Sequence, residues 1–133
     1  MRKKTVFILL TTLSFCANAE VSSPCDSIES SQQIFLCSEH VKKIADNRLN
    51  TSYQEALRRI KNQYKNSADL ASEYLSLLKE SQRAWLKVRD KNCELEAFEM
   101  ERGTEAHITT TNNCIARMSK SRANYLDKIS PDI

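Results

Sequence analysis

Apolar residues recur at helical intervals along much of this chain. Between Val41 and Tyr64 the interval is three or four residues, which places the side chains on one face of an α-helix. Only one glycine and two prolines occur among 133 residues, so the turn residues that separate short strands are scarce. The pattern predicts an all-α fold built from long helices. The apolar positions of the first long helix are Val41, Ile44, Ala45, Leu49, Tyr53, Ala56, Leu57, Ile60 and Tyr64.

The residues before this helix predict a shorter helical piece. Ser38 is a candidate N-cap for the long helix, because a serine hydroxyl accepts a hydrogen bond from a free amide at a helix start. Residues 27–36 are therefore expected to form a separate short N-terminal helical segment that directs Ile34 and Phe35 inward.

A second helix is predicted after the turn at Asn66 and Ser67. Ser67 can cap it, and Asp69 lies in its first turn, where a carboxylate interacts favourably with the helix dipole. We expect this helix to run to about Arg102 and to stop at Gly103. Its predicted inner face consists of Leu70, Tyr74, Leu77, Leu78, Trp85, Val88, Cys93 and Leu95.

A third helix is predicted near the C-terminus, where it ends before Pro131. Residues 109–113 are three threonines and two asparagines, which are poor helix formers, so this stretch is expected to be a loop or a frayed start. Three such helices joined by short turns form an antiparallel three-helix bundle. The inner face of the third helix is predicted to carry Ile115, Met118, Arg122, Tyr125 and Ile129.

The cysteines fall at related heights in this predicted bundle. The two interhelical turns would bring Cys37, Cys93 and Cys114 to one end. Cys25 can reach the same end through the N-terminal segment. Four cysteines allow three pairings, and the spacing does not select among them. We favour pairing each N-terminal cysteine with one of the later two, because that arrangement ties the N-terminal segment to the later helices.

The first 19 residues have the pattern of a secretory signal peptide. Arg2, Lys3 and Lys4 precede an apolar run, and Ala17-Asn18-Ala19 forms a small-residue cleavage site. The run is too short to span a bilayer, so no stable membrane anchor is predicted. Lipidation at Cys16 is disfavoured because the bulky Phe15 precedes it. We therefore expect one helical domain over residues 20–133.

Removal of the leader changes the charge and the cysteine count. The precursor has 20 basic and 17 acidic residues, and the leader contains three of the basic ones, so the mature chain has 17 of each. Without a net positive charge or a basic block, the sequence gives no support to nucleic-acid binding. Loss of Cys16 leaves an even four cysteines, which predicts two disulfides in an oxidising compartment. We expect that compartment to be the periplasm of a Gram-negative bacterium.

The sequence contains no recognisable catalytic motif. His40 and His107 are isolated, and no nucleophile elbow, phosphate loop or zinc-protease pattern accompanies them. A zinc site built from Cys37, His40, Cys93 and Cys114 is the alternative to disulfides, and the exported, even-cysteine composition favours disulfides. We therefore predict a protein without enzymatic activity, metal or cofactor.

An acidic stretch occupies residues 90–105. This stretch contains six acidic residues and only two basic ones, Lys91 and Arg102, so its net charge is −4. If the second helix continues through this stretch, Asp90, Glu94 and Glu101 share one narrow stripe. The stripe is either a solvated helix face or a surface that attracts a basic partner. The candidate partner-binding residues are Glu94, Glu99, Glu101, Gly103 and Glu105.

The segment from Gln82 to Cys93 contains the only tryptophan, Trp85. Helical spacing predicts that Trp85 and Val88 face the core. Arg89, and Arg83 beside it, are expected to pair with Asp46 or Asp90 and so to fix how the helices dock. The structural residues predicted around this segment are Asp46, Asn50, Gln82, Trp85, Arg89, Asp90 and Arg122.

These motifs together resemble the LprI-like lysozyme-inhibitor domain, a family of small exported bacterial proteins. The resemblance extends from Cys25 to Leu126 and depends most on Gln82-Arg83-Ala84-Trp85-Leu86 and Arg89-Asp90. It implies a helical protein that inhibits lysozyme. Our hypothesis for the mechanism is that the acidic surface covers the cleft of the enzyme. The alternative is a structural or chaperone-like helical module of the cell envelope without lysozyme contact.

Overall fold

Three α-helices make up the part of the chain that the computed structural model describes, residues 22–130. They are α1 (Ser31–Gln63), α2 (Ala68–Glu96) and α3 (Glu105–Leu126), and this part contains no strand. None of these helices has the length and apolarity needed to cross a membrane. The all-α bundle predicted from the apolar pattern is confirmed. The predicted leader, with Cys16 and the cleavage site after Ala19, lies outside the described residues.

The helices run up, down and up. Pairs of contacting residues advance together along α1 and α3, from Ser38 with Asn112 to Arg59 with Leu126. Those two helices share the largest interface, whereas α1 and α2 share the smallest. Small buried residues bring α1 and α3 close, because alanine and serine keep the two backbones near each other. These small residues are Ala45, Ser52, Ala56, Ala116, Ser119 and Ala123.

The larger core residues lie toward the end of the bundle where α1 ends and α3 ends. Leu49, Ile60, Leu78 and Leu126 form one buried cluster with Ala56 and Ala123. Half-buried side chains close its edge, among them Trp85 and the edge-to-face pair Tyr64 and Tyr74. Beside this packing a groove opens between α1 and α2, lined by residues of both helices.

The N-terminal helical residues belong to α1 and do not form a separate segment. Ser30 is the N-cap of α1 and its hydroxyl accepts a hydrogen bond from the Gln33 amide. Ser38, predicted as a cap, is buried inside the helix, where its hydroxyl donates to the Phe35 carbonyl. The prediction that Ile34 points inward is wrong, since about half of that side chain is exposed. The amide of Asn112 donates to Ser38, so a tertiary contact replaces the predicted capping role.

The second turn lies earlier than predicted. Helix α2 ends at Glu96, and residues 97–104, which we call the α2–α3 connector, separate it from α3. Gly103 adopts a φ of 85° inside this connector, so it shapes the turn without ending α2. Thr104 caps α3 by accepting a hydrogen bond from the His107 amide. Residues 109–113, predicted to be a loop or a frayed start, are helical and belong to α3.

The buried faces of α2 and α3 also differ from the prediction. Val88 is more than half exposed, as are Leu70, Leu77 and Leu95, while Leu78 and Cys93 are buried as expected. On α3 Tyr125 is exposed, because the buried positions follow the small residues that contact α1. The size of an apolar residue was thus a poor guide to burial in this bundle. The buried positions of α3 are Asn112, Cys114, Ala116, Ser119, Ala123 and Leu126.

Two disulfides are present, and their pairing corrects the one we favoured. Cys25 bonds to Cys37, and Cys93 bonds to Cys114. The N-terminal segment folds back onto the start of α1, which makes the first disulfide local. The second joins the last turn of α2 to the middle of α3.

Candidate functional site

The residues that carry the family resemblance meet where the three helices contact one another. Arg89 of α2 donates to Asp46 Oδ1 of α1 at 3.3 Å and to the Ser119 hydroxyl of α3 at 3.2 Å. Ser119 in turn donates to the same Asp46 oxygen at 3.1 Å. Arg89 also contacts Asp90 at 2.8 Å, so both partners expected for this arginine are present. The resulting network joins all three helices at one height.

A second arginine extends this network along α3. Arg122 donates to Gln82 Oε1 at 3.0 Å and to the Ser81 hydroxyl at 2.9 Å. Arg89 and Arg122 each lie 5.6 Å from the centre of the Trp85 ring, at a distance typical of cation–π contact. Partial burial lowers the pKa of Arg122 from its ordinary value, and Tyr125 opposes that effect. An arginine stays protonated at neutral pH all the same, so both ring contacts involve a cation.

The gap between α1 and α2 forms an open groove of about 440 Å³ beside this network. Its floor includes Leu49 and Leu86, and Arg89 with Asp46 closes one end. Asn50 lies on its wall and is exposed, so this predicted structural residue makes no buried interhelical contact. The groove is a consequence of how far α2 stands from α1. Its lining residues are Asp46, Leu49, Asn50, Tyr53, Lys79, Gln82, Arg83, Leu86 and Arg89.

The α2–α3 connector is the most exposed apolar feature of the described chain. Phe98 is 77% exposed and Leu95, just before the connector, is 70% exposed. Met100 is also exposed, although its sulfur contacts the Thr110 hydroxyl. A phenylalanine this open in a structured turn costs hydration free energy and contributes nothing to the core. Such residues commonly belong to interaction surfaces.

Glutamates surround these apolar side chains. Glu99 and Glu101 on the connector, and Glu105 in the first turn of α3, are exposed. None of the three makes a salt bridge within residues 22–130. Arg102 is the one cationic side chain of the connector, so these three glutamates leave a net negative charge next to an exposed aromatic ring.

Two glutamates near the end of α2, Glu94 and Glu96, differ from those on the connector because each forms a salt bridge. Glu94 pairs with Lys91 at 2.8 Å, and Glu96 pairs with Arg117 of α3. The hydrogen bond from Lys91, and then its charge, lower the pKa of Glu94 below its ordinary value. The continuous acidic stripe predicted through Asp90, Glu94 and Glu101 is wrong, because α2 ends before Glu101. Glu94 stands beside the connector and not in one helical row with it.

The connector is held at both ends. The Cys93–Cys114 disulfide crosses its base, and both cysteines are buried. At the start of the connector, Ala97 is buried and its amide donates to the Cys93 carbonyl. At the end, the Thr104 hydroxyl donates to the Glu101 carbonyl. Gly103 supplies the positive φ between these anchors. The exposed side chains are thus presented on a backbone that is already ordered.

The remaining candidate residues are the cysteines of the zinc alternative and the two histidines. The zinc alternative needs free thiolates, and Cys37, Cys93 and Cys114 are all in disulfides. No group of three metal-binding side chains occurs among the described residues. His107 lies at the α3 start, where its amide donates to the Thr104 hydroxyl. His40 lies on α1, so the two histidines belong to different helices.

Sequence reasoning overlooked several residues that organise the two regions. Ser119 completes the Arg89 network, and Arg59, which is buried, donates to the carbonyls of Leu126, Ile129 and Ser130. Arg59 therefore satisfies the carbonyls that α3 leaves unpaired at its end. Phe98 was overlooked because an exposed aromatic has no periodicity to reveal it. The glutamates next to it in the sequence were the one signal that could have marked Phe98 as part of a surface.

Comparison with known proteins agrees with the resemblance. An uncharacterized protein of Rhizobium meliloti strain 1021 is 30% identical over 125 residues, covering 91% of this chain and 89% of the relative. Uncharacterized protein YecT of Escherichia coli strain K12 is 43% identical over 60 residues, covering 44% of this chain and 37% of YecT. The crystal structure of a DUF1311 family protein from Pseudomonas putida KT2440 has a TM-score of 0.70 and 29% identity, covering 80% of this chain and 100% of that chain. The family model described as lysozyme inhibitor LprI matches residues 23–126, and this chain therefore belongs to that family.

Proposed function

We propose that this chain is an exported, periplasmic protein-binding module that inhibits a lysozyme-type muramidase by covering its cleft. The family match supports lysozyme as the partner class. The observation that carries the proposal is the connector, where the 77% exposed Phe98 lies among glutamates without salt bridges. We assign the contact surface to the connector and its flanks, namely Glu94, Phe98, Glu99, Glu101, Gly103 and Glu105.

The chemistry of this surface suits a cationic enzyme. Unpaired glutamates draw a positively charged protein toward the connector and speed the encounter. An aromatic side chain that enters a cleft supplies the buried anchor on which most of the affinity of an interface depends. Charge would thus guide the approach, and Phe98 would hold the complex.

The fixed backbone supports the same role. The disulfide at the base and the Thr104 cap order the connector before any partner arrives. A preordered loop loses little conformational entropy on binding, which raises affinity. In this proposal the Arg89 network has a supporting role, because it sets the relative height of α2 and α3 and so the position of the connector.

Binding measurements with matched variants test the proposal. Immobilised muramidases of several types would be titrated with the mature, oxidised protein. Phe98→Ala should weaken binding by roughly 30-fold, the effect of losing a hot-spot residue of about 2 kcal/mol. Glu99→Gln with Glu101→Gln should slow association and reduce its salt dependence.

Two control variants separate the connector from general surface effects. Asp69→Asn with Glu73→Gln removes the same charge at the opposite end of α2. Ile44→Ala removes an exposed apolar side chain of α1. Both controls should bind like the natural sequence. Equal losses in controls and connector variants would contradict the assignment, and absence of any complex with every muramidase type would contradict the function.

A further inference from the structure

Helix α2 carries an exposed apolar row that the bundle does not use and that borders the proposed muramidase contact surface only at its last residue, Leu95, beside Glu94. Leu70, Leu77, Val88 and Leu95 are 55%, 62%, 53% and 70% exposed. With 3.6 residues per turn, these four positions fall within about 20° of one another around the helix axis. The row extends over almost the whole of α2. It lies on the side of α2 away from the groove that Lys79 and Leu86 line.

The row follows the pattern of a coiled-coil seam. Side chains repeat at alternating intervals of three and four residues, which is the heptad spacing of two packed helices. Polar and small residues interrupt it only near the middle and toward the end. The a positions are Tyr74, Ser81, Val88 and Leu95, and the d positions are Leu70, Leu77, Ala84 and Lys91. Tyr74 is half-buried against Tyr64 in the core, so Val88 and Leu95 are the exposed apolar a positions.

We propose that this face binds a second copy of the chain, with the two α2 helices antiparallel about a two-fold axis. In that register Leu70 lies opposite Leu95 of the second copy, and Leu77 lies opposite Val88 of the second copy. Each of these layers occurs twice, as a two-fold interface requires. The pattern is self-complementary, because its large residues fall at equal distances on either side of its centre.

The centre of the seam suits a close crossing. Ser81 lies opposite Ala84 of the second copy, and both residues are small and exposed. Small residues at a crossing point let two helix backbones approach closely, so the larger layers on each side can interlock. Ser81 already accepts a hydrogen bond from Arg122, so its hydroxyl needs no partner across the axis.

Charges beside the seam select the register. Glu80 lies opposite Lys87 of the second copy, and the symmetry produces this attraction twice. A shift by one heptad in either direction would place Glu80 against Glu80 or Lys87 against Lys87. The outer contact joins Glu73 with Glu94 of the second copy, and Lys91, which pairs with Glu94, offsets that repulsion.

The same two charges do not interact within one chain. Glu80 and Lys87 are seven residues apart, a rise of about 10 Å along the helix. Glu80 accepts a hydrogen bond from Ser76 instead, and Lys87 makes no ion pair within residues 22–130. A parallel pairing would offer no such attraction, because the flanking positions opposite these charges are Ala71, Leu78, Trp85 and Asn92. The antiparallel second copy is therefore the occupant that the charges fit.

Sedimentation velocity of the mature, oxidised protein over a range of micromolar concentrations tests the dimer without any muramidase. The natural sequence should show a concentration-dependent dimer. Leu77→Asp places a carboxylate in two layers and should weaken the dimer at least about 100-fold. Ile44→Asp, which alters an equally exposed residue of α1, should leave it unchanged.

A charge exchange tests the register itself. Glu80→Lys and Lys87→Glu should each weaken the dimer by about tenfold, because each creates two repulsions. The combination of both substitutions should restore the affinity to within about threefold. Circular dichroism would verify that all variants remain helical. A monomer at every concentration, a dimer insensitive to Leu77→Asp, or a double exchange weaker than either single one would each overturn the proposal, whatever the outcome with muramidases.

Discussion

Loss of the Arg89 guanidinium should loosen the bundle more than any other single change near its polar network. Arg89→Met keeps most of the aliphatic stem and removes every donor. The substitution breaks the contacts with Asp46, Ser119 and Asp90 and the cation–π contact with Trp85. The arginine side chain is only 13% exposed, so water cannot replace it in full.

The expected cost follows from the burial of each partner. Breaking a fully buried ion pair costs about 3 to 5 kcal/mol, because one charge is left without a partner. Here Asp46 is 33% exposed, retains the Ser119 hydroxyl and has Lys42 at 3.7 Å, so its charge remains partly compensated. The Asp90 carboxylate is mostly solvated, so loss of its ion pair with Arg89 contributes little to the cost. We therefore expect about 2 to 3 kcal/mol of lost stability.

Chemical and thermal denaturation measure this cost. For a domain of this size, a loss of 2 to 3 kcal/mol lowers the midpoint by about 8 to 15 °C. A double-mutant cycle with Asp46→Asn should give a coupling of about 1 kcal/mol. Arg83→Met, on the exposed side of the same helix, should cost under about 0.5 kcal/mol. Equal stabilities of the Arg89 and Arg83 variants would refute the reasoning.

Two further predictions concern the cross-links and the connector. Limited reduction followed by alkylation and mass spectrometry should label Cys25 and Cys37 before Cys93 and Cys114, because only the first disulfide is partly exposed. Simultaneous opening of both disulfides would contradict this order. Gly103→Ala should cost about 1 kcal/mol in chemical denaturation, because φ is 85° and a methyl group there would meet no neighbour, so the cost is one of backbone conformation alone. An alanine variant as stable as the natural chain would contradict that account.

The sequence predicted the helices better than their ends. Helix α2 contains no glycine or proline at the point where it stops, so the pattern continued through Glu96 without a visible break. The turn there depends on tertiary structure, since Cys93 must reach Cys114 on the returning helix. Likewise residues 109–113 are helical despite weak propensity, because the buried Asn112 packs against α1 and donates to Ser38. Neither contact can be read from local sequence.

The polar docking residues were predictable because their chemistry constrains them. An arginine and an aspartate on neighbouring helices at matching heights have few alternatives to pairing, and Asp46 and Arg89 do pair. Burial was harder to predict, because large apolar residues were assumed to be inside. Val88 lies outside while Ala123 lies inside, since close packing of α1 on α3 selects small side chains. The disulfide pairing failed for a related reason, because heights along a bundle say nothing of position around it.

The most direct test of the proposed function is the residual activity of a cationic muramidase in the presence of the mature, oxidised protein. We predict dose-dependent inhibition that reaches completion near one inhibitor chain per enzyme at low ionic strength and weakens as salt is added. The variant combining Phe98→Ala, Glu99→Gln and Glu101→Gln should lose nearly all inhibition, whereas Asp69→Asn with Glu73→Gln should retain it. Full muramidase activity in the presence of excess natural protein, across several lysozyme types, would contradict the account.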